Sequence, residues 1–140
     1  MIDCLILGDS IAVGTHRQRP ECVAYAKVGI TSSQWNQQNS ARELTANTVI
    51  ISLGSNDHKG VYTHKELSAM RERVRATRVF WILPAGNNPI GGVDIHYIQQ
   101  VVKEIAEQHG DTVLPIRSLG KDRVHPTGSE YRELALQTKS

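Results

Sequence analysis

The strongest constraint on the fold is a repeated exchange between two kinds of segment. Short runs rich in β-branched and apolar residues, among them VIISL at 49–53 and VFWIL at 79–83, alternate with longer polar or amphipathic stretches. Strands separated by helix-length segments pair in parallel, because a parallel neighbour requires a crossover long enough to hold a helix. The pattern predicts an α/β chain with strands at 2–7, 22–26, 48–53, 78–83 and 112–116. The last of these is weakened by Pro115, which has no N–H for a ladder. VIISL and VFWIL show no polar alternation, as expected of strands covered on both faces.

Helices are expected just after Ser10, at 32–44, at 64–77, at 94–109 and from Pro126 onward. Gly110 suits a C-terminal cap of the fourth, and Pro126 suits the first turn of the fifth, where a missing N–H costs nothing. The expected architecture is an open, five-stranded, three-layer α/β/α sandwich. In such sheets, ligands bind beyond the carboxyl ends of the strands. A length of 140 residues suits one domain covering 1–140.

Composition narrows the class of partner. With 39% hydrophobic and 21% charged residues the chain reads as an ordinary water-soluble domain without a disordered tail. The net charge is only +2 and the basic residues are dispersed, so no nucleic-acid partner is expected. The densest basic stretch, RERVRATR, places Arg71, Arg75 and Arg78 near one face of a helical wheel and reads as a solvated face. No run approaches the roughly 18 apolar residues of a membrane span, and no basic-then-apolar leader opens the chain; the expectation is a product that is cytoplasmic as synthesised. On that expectation Cys4 and Cys22, each in an apolar run, read as small buried hydrophobes and not as a disulfide.

Chemistry-bearing residues cluster at the predicted strand ends. After the first strand comes GDSIAVG, which puts Ser10 at the carboxyl end of the strand and the opening of a helix. There its hydroxyl faces the crevice and its N–H lies at the positive end of a helix dipole, which suits a developing oxyanion. Serine is also a common N-cap, and the motif alone does not separate the two roles. A phosphate cradle is not supported, because Gly14 is followed by Thr15 and not by the lysine of a P-loop, and no G-x-G-x-x-G occurs.

The third strand ends in GSND, where the side chain of Asn56 offers a neutral donor to a carbonyl oxygen gaining charge. Alternatively, Asn56 and Asp57 form an ordinary Asx turn or cap. Near the C-terminus, KDRVHPTG sets Asp122 three residues before His125, so that the carboxylate can hold the imidazole in one tautomer while the other ring nitrogen takes a proton. Gly29, in KVGITSS, is by itself a turn glycine. Beside the other three its N–H becomes a candidate second oxyanion donor.

The ordered set GDS, an isolated glycine, GxND and DxxH, running from Gly8 to His125, resembles the four blocks of the SGNH, or GDSL-type, hydrolases. The resemblance implies Ser10 as nucleophile, His125 as general base and Asp122 as its orienting partner. It further implies an oxyanion hole built from the N–H of Ser10, the N–H of Gly29 and the side-chain amide of Asn56. It also implies a flavodoxin-like parallel sheet of order 2-1-3-4-5, and serine-esterase activity through an acyl-enzyme.

No cofactor or metal is expected, since His16, His58, His64, His96 and His109 form no recognisable ligand set. With only 5% aromatic residues there is little material for a lid or a long apolar groove, which favours short acyl groups such as acetyl on a small-molecule or glycan substrate. Trp35, Tyr62 and the AGNNPIGG loop at 85–92 are candidates to border the pocket, with Trp35 better read as a packing residue. Two other functions share these features: acyl transfer to an acceptor other than water, and a non-catalytic descendant that binds glycan or protein.

Overall fold

The computed structural model describes residues 2–86 and 93–139. Five strands, β1 (Ile2–Gly8), β2 (Val23–Ala26), β3 (Leu44–Ser52), β4 (Val74–Leu83) and β5 (Thr112–Pro115), alternate with five helices. These are α1 (Ser10–Gln18), α2 (Ser32–Gln38), α3 (Thr63–Arg73), α4 (Ile95–His109) and α5 (Gly128–Gln137). The strands form one parallel sheet in the order β2-β1-β3-β4-β5, the expected flavodoxin-like arrangement.

Side chains of a strand alternate between faces, so the sheet carries two cores. Leu5, Leu7, Val49, Ile51 and Trp81 point to one, closed by Trp35 of α2, Leu67 and Met70 of α3, and Val101, Val102 and Ile105 of α4. Cys4, Ile6, Ile50, Phe80 and Ile82 point to the other, closed by Ile11 of α1 and Leu134 of α5. Both VIISL and VFWIL are buried throughout, as their lack of alternation requires. Full burial of each large aliphatic or aromatic side chain contributes about 1.5–3 kcal/mol.

Two strands begin earlier than expected, and for one reason. The second helix ends at Gln38 and not at 44, with β3 starting at Leu44 and not at 48, and residues 74–77 belong to β4 and not to the third helix. The two extensions pair with each other, Leu44 with Val74, Thr45 with Arg75 and Ala46 with Ala76. Each finds its ladder partners some 30 residues away, where local periodicity has no view. The helical-wheel grouping of Arg71, Arg75 and Arg78 dissolves with it, since the latter two stand on β4. Arg71 is not solvated either: its guanidinium makes a two-pronged contact, 2.7 and 2.9 Å, with the little-exposed side chain of Asp111. Asp111 also accepts the indole N–H of Trp81 at 2.9 Å.

The cysteines form a disulfide, correcting the expectation of two free buried thiols. The register sets Leu5 opposite Val23, which brings Cys4 of β1 and Cys22, the residue just ahead of β2, together with their Cα atoms 4.9 Å apart. The bond ties the short edge strand β2 to β1. Pro126 is also misplaced by sequence reasoning. It lies ahead of α5 in an isolated bridge with Leu119, while Thr127 caps the helix by accepting from the N–H of Glu130. Gly110 does cap α4, and Asp94 caps its other end. Among the described residues no helix is long and apolar enough to cross a membrane.

Candidate active site

The turn after β1 is set by Gly8. Its φ of 144° brings the backbone against β3, where a Cβ would stand 1.7 Å from the carbonyl oxygen of Ser52, so only glycine fits. The N–H of Asp9 then donates to that same carbonyl at 2.9 Å, fixing the start of α1. Asp9, not Ser10, is the N-cap: its Oδ1 accepts the N–H of Ile11 at 3.0 Å. The capping role thus falls to Asp9, and the hydroxyl of Ser10 meets Nε2 of His125 at 2.7 Å. The first intrahelical bond runs from Val13 to Asp9, which leaves the N–H of Ser10 at the helix opening.

His125 is carried by a braced loop between β5 and α5. Gly120 N–H donates to the His125 carbonyl at 2.8 Å and Thr127 N–H to that of Ser118 at 3.1 Å, which makes a miniature hairpin. The buried carboxylate of Glu130 accepts the N–H groups of Arg117 and Ser118 and pins the base of the loop to α5. Within the loop, Asp122 Oδ2 lies 2.5 Å from Nδ1 of His125, while its Oδ1 accepts the N–H groups of Val124 and His125, each at 3.0 Å. These bonds, first that to the imidazole and then those to the two N–H groups, hold the Asp122 carboxyl well below the usual range. An ionised carboxylate only accepts, so Nδ1 carries the proton and the lone pair of Nε2 faces the hydroxyl of Ser10. About half of the Asp122 side chain is exposed, so the group opens to solvent.

Gly29 and Asn56 come from the two loops flanking β1, after β2 and β3. Gly29 is exposed at φ 79°, a left-handed conformation that disfavours a side chain although space is available. The amide nitrogen of Asn56 donates to the carbonyl of Ile30 at 3.3 Å, which ties it to the residue after Gly29. Asp57, read from sequence as a turn residue, is instead a buried carboxylate accepting from Ser32 and Thr63. Asp9 is the second feature missed. Fully enclosed, with Oδ2 lacking a hydrogen-bond partner among the described residues, it is pushed by burial up to about 7. An acidic residue beside a helix-opening serine was the available signal, since aspartate caps as well as serine does.

Of the residues suggested as pocket borders, Trp35 is fully buried and donates its indole N–H to the Tyr25 carbonyl at 2.8 Å, so it is a packing residue. Tyr62 is 76% exposed just ahead of α3. Positions 87–92 of the AGNNPIGG loop lie outside the described residues. Among the described residues, the metal-ligand atoms of Cys4, Glu21 and Cys22 converge, but the two sulfurs are bonded to each other.

No protein-family model and no curated protein sequence matches the chain. Solved structures do match in fold. An acetyl-xylooligosaccharide esterase variant from Geobacillus superposes with a TM-score of 0.64 at 20% identity, over 96% of this chain and 91% of that one. The C-terminal catalytic domain of a peptidoglycan O-acetyltransferase from Streptococcus pneumoniae gives 0.67 at 17% identity, over 98% and 93%. A member of the lipolytic G-D-S-L family from Veillonella parvula gives 0.64 at 15%, over 98% and 96%. The architecture is the fold of the SGNH, or GDSL-type, hydrolases.

Proposed function

We propose that the chain is a serine esterase of the SGNH type, with the whole of 1–140 acting as one catalytic domain. The observation that carries the reading is the unbroken line from Asp122 through His125 to the hydroxyl of Ser10, at 2.5 and 2.7 Å. In it His125 takes the Ser10 proton at Nε2 as Oγ attacks an ester carbonyl, and the imidazolium is stabilised by Asp122. The carbonyl oxygen, now negative, is received by the N–H of Ser10 at the helix opening, the N–H of Gly29 and the side-chain amide of Asn56. His125 passes its proton to the departing alcohol and an acyl group remains on Ser10. Water, deprotonated by His125, then releases the acid.

An open triad suits a short acyl group carried on a larger alcohol, and two of the fold's relatives are an acetyl-xylooligosaccharide esterase and a peptidoglycan O-acetyltransferase. The acyl group favoured by this reading is acetyl. Hydrolysis of p-nitrophenyl acetate and longer p-nitrophenyl esters by the wild type and Ser10→Ala, with folding checked by circular dichroism, tests it. The expected result is a rate falling with acyl length and reduced at least 10³-fold in the variant, the order seen when a triad member is removed. A rate that survives Ser10→Ala overturns the assignment.

A second reading, transfer of the acyl group to a sugar hydroxyl, uses the same residues and is favoured only by the O-acetyltransferase relative. The yield of acetylated sugar in the presence of glycan acceptors separates the two.

A further inference from the structure

We propose that Asp57 is a positioning residue of the oxyanion hole, its carboxylate clamping the segment that carries Gly29 to the turn that carries Asn56. The inference rests on the esterase reading above. Asp57 is 2% exposed, and its two oxygens receive three hydrogen bonds. Oδ1 accepts the N–H of Ser32 at 2.8 Å, and Oδ2 accepts the hydroxyls of Ser32 and Thr63, each at 2.7 Å. Ser32 opens α2, three residues beyond Gly29, and Thr63 opens α3. One side chain therefore joins both helix starts to the residue following Asn56.

The need for such a clamp follows from the other contacts. Gly29 has no side chain and stands exposed at a left-handed φ. The bond from Ile30 N–H to Lys27 O is 3.4 Å long, and that from Asn56 to Ile30 O is 3.3 Å. The bonds to Asp57, at 2.7–2.8 Å, are shorter than either. An oxyanion donor is effective only within about 2.7–3.1 Å of the developing charge, so a loop free to drift by half that spacing loses its function. A carboxylate devoted to three donors, immediately beside Asn56, holds the two loops that carry the proposed oxyanion donors in a fixed relation to each other.

The test compares Asp57→Ala with Asp57→Asn on p-nitrophenyl acetate and on binding of phenylboronic acid, which forms a tetrahedral adduct with the nucleophile. Alanine removes every acceptor. Asparagine keeps an oxygen for Ser32 N–H, and its NH2 can donate to the two hydroxyls, which also accept. Expected for Asp57→Ala is a fall of about 100-fold in kcat and in boronate affinity together, with KM moving less than about threefold. Asp57→Asn is expected to recover most of both, and amide exchange across 27–32 to accelerate in the alanine variant alone.

Wild-type kcat and boronate affinity in Asp57→Ala overturn the proposal, as does an equal loss in both variants. Should Asp57→Ala not fold, the double variant Ser32→Ala with Thr63→Val removes the two hydroxyl donors; a loss of about tenfold supports the clamp and an unchanged rate overturns it. Ser10→Ala serves as the separate control. Absence of Ser10-dependent turnover in the wild type removes the esterase reading and the clamp with it, whereas an active wild type beside an unimpaired Asp57→Ala removes the clamp alone.

Discussion

The hydroxyl of Ser10 and Nε2 of His125 are 2.7 Å apart although 115 residues separate them in the chain. The contact exists because Asp9 takes over the capping of α1, and because a hairpin braced by Glu130 returns His125 to the carboxyl end of β1. The opposite nitrogen of the ring is held by Asp122, so the proton-accepting lone pair points at the serine.

That orientation makes Asp122→Asn informative. An amide NH2 facing Nδ1 favours the tautomer with its proton on Nε2, which cannot accept from Ser10. We expect kcat for p-nitrophenyl acetate to fall by about 10²–10⁴-fold with little change in KM. Because the Asp122 carboxyl is held well below its ordinary range, it is not expected to contribute to the acid limb of kcat/KM in the wild type, which should carry one proton. A two-proton limb, or full activity in the variant, contradicts the arrangement.

Asp9 predicts a pH dependence of stability. Its folded-state value is raised to about 7, from an ordinary 3.8, chiefly by burial. A carboxyl raised on folding favours the folded state fully below the unfolded value and loses that contribution as pH rises through the folded one. The wild type should therefore lose stability between about pH 4 and 7 on this account, whereas Asp9→Asn, neutral and equally able to cap, should not. Urea midpoints at pH 5 and pH 8 measure the difference, and parallel profiles for the two proteins would refute it.

The disulfide closes a separation of 18 residues between Cys4 and Cys22. Reduction, or the double variant Cys4→Ala with Cys22→Ala, is expected to cost about 3 kcal/mol. Thermal unfolding with and without dithiothreitol reads this directly, and an unchanged midpoint in the presence of fully reduced thiols argues against the bond.

Arg71→Ala leaves the carboxylate of Asp111, whose side chain is 3% exposed, without its cation. Stranding a buried charge costs about 3–5 kcal/mol, so this variant should be among the most destabilising single substitutions in the chain. Arg71→Ala combined with Asp111→Ala should recover part of the loss, since no charge is then stranded; chemical denaturation of both proteins provides the check.

The layering of the fold was legible in VIISL and VFWIL, because strands covered on both faces read as near-continuous apolar runs without polar alternation. The boundaries at Leu44 and Val74 were not, since each of these residues is a strand residue only by virtue of pairing with the other. Asp57 illustrates the same limit within the site. In GSND it looks like a turn-former, and its actual partners, Ser32 and Thr63, are supplied by two other elements.

Local chemistry and periodicity determine which residues are available: a serine, an asparagine and a D-x-x-H pair, each beside the end of an apolar run. Those are properties of neighbours in the chain, and neighbours suffice to specify strand, turn and cap. Which groups meet is a matter of sheet order and register. The tertiary structure alone decided that Cys4 reaches Cys22, that Arg71 is sunk against Asp111, and that Asp9 and not Ser10 caps the helix. Hydrogen bonds and packing act over a few ångströms, and only the folded backbone brings such distant positions within that reach.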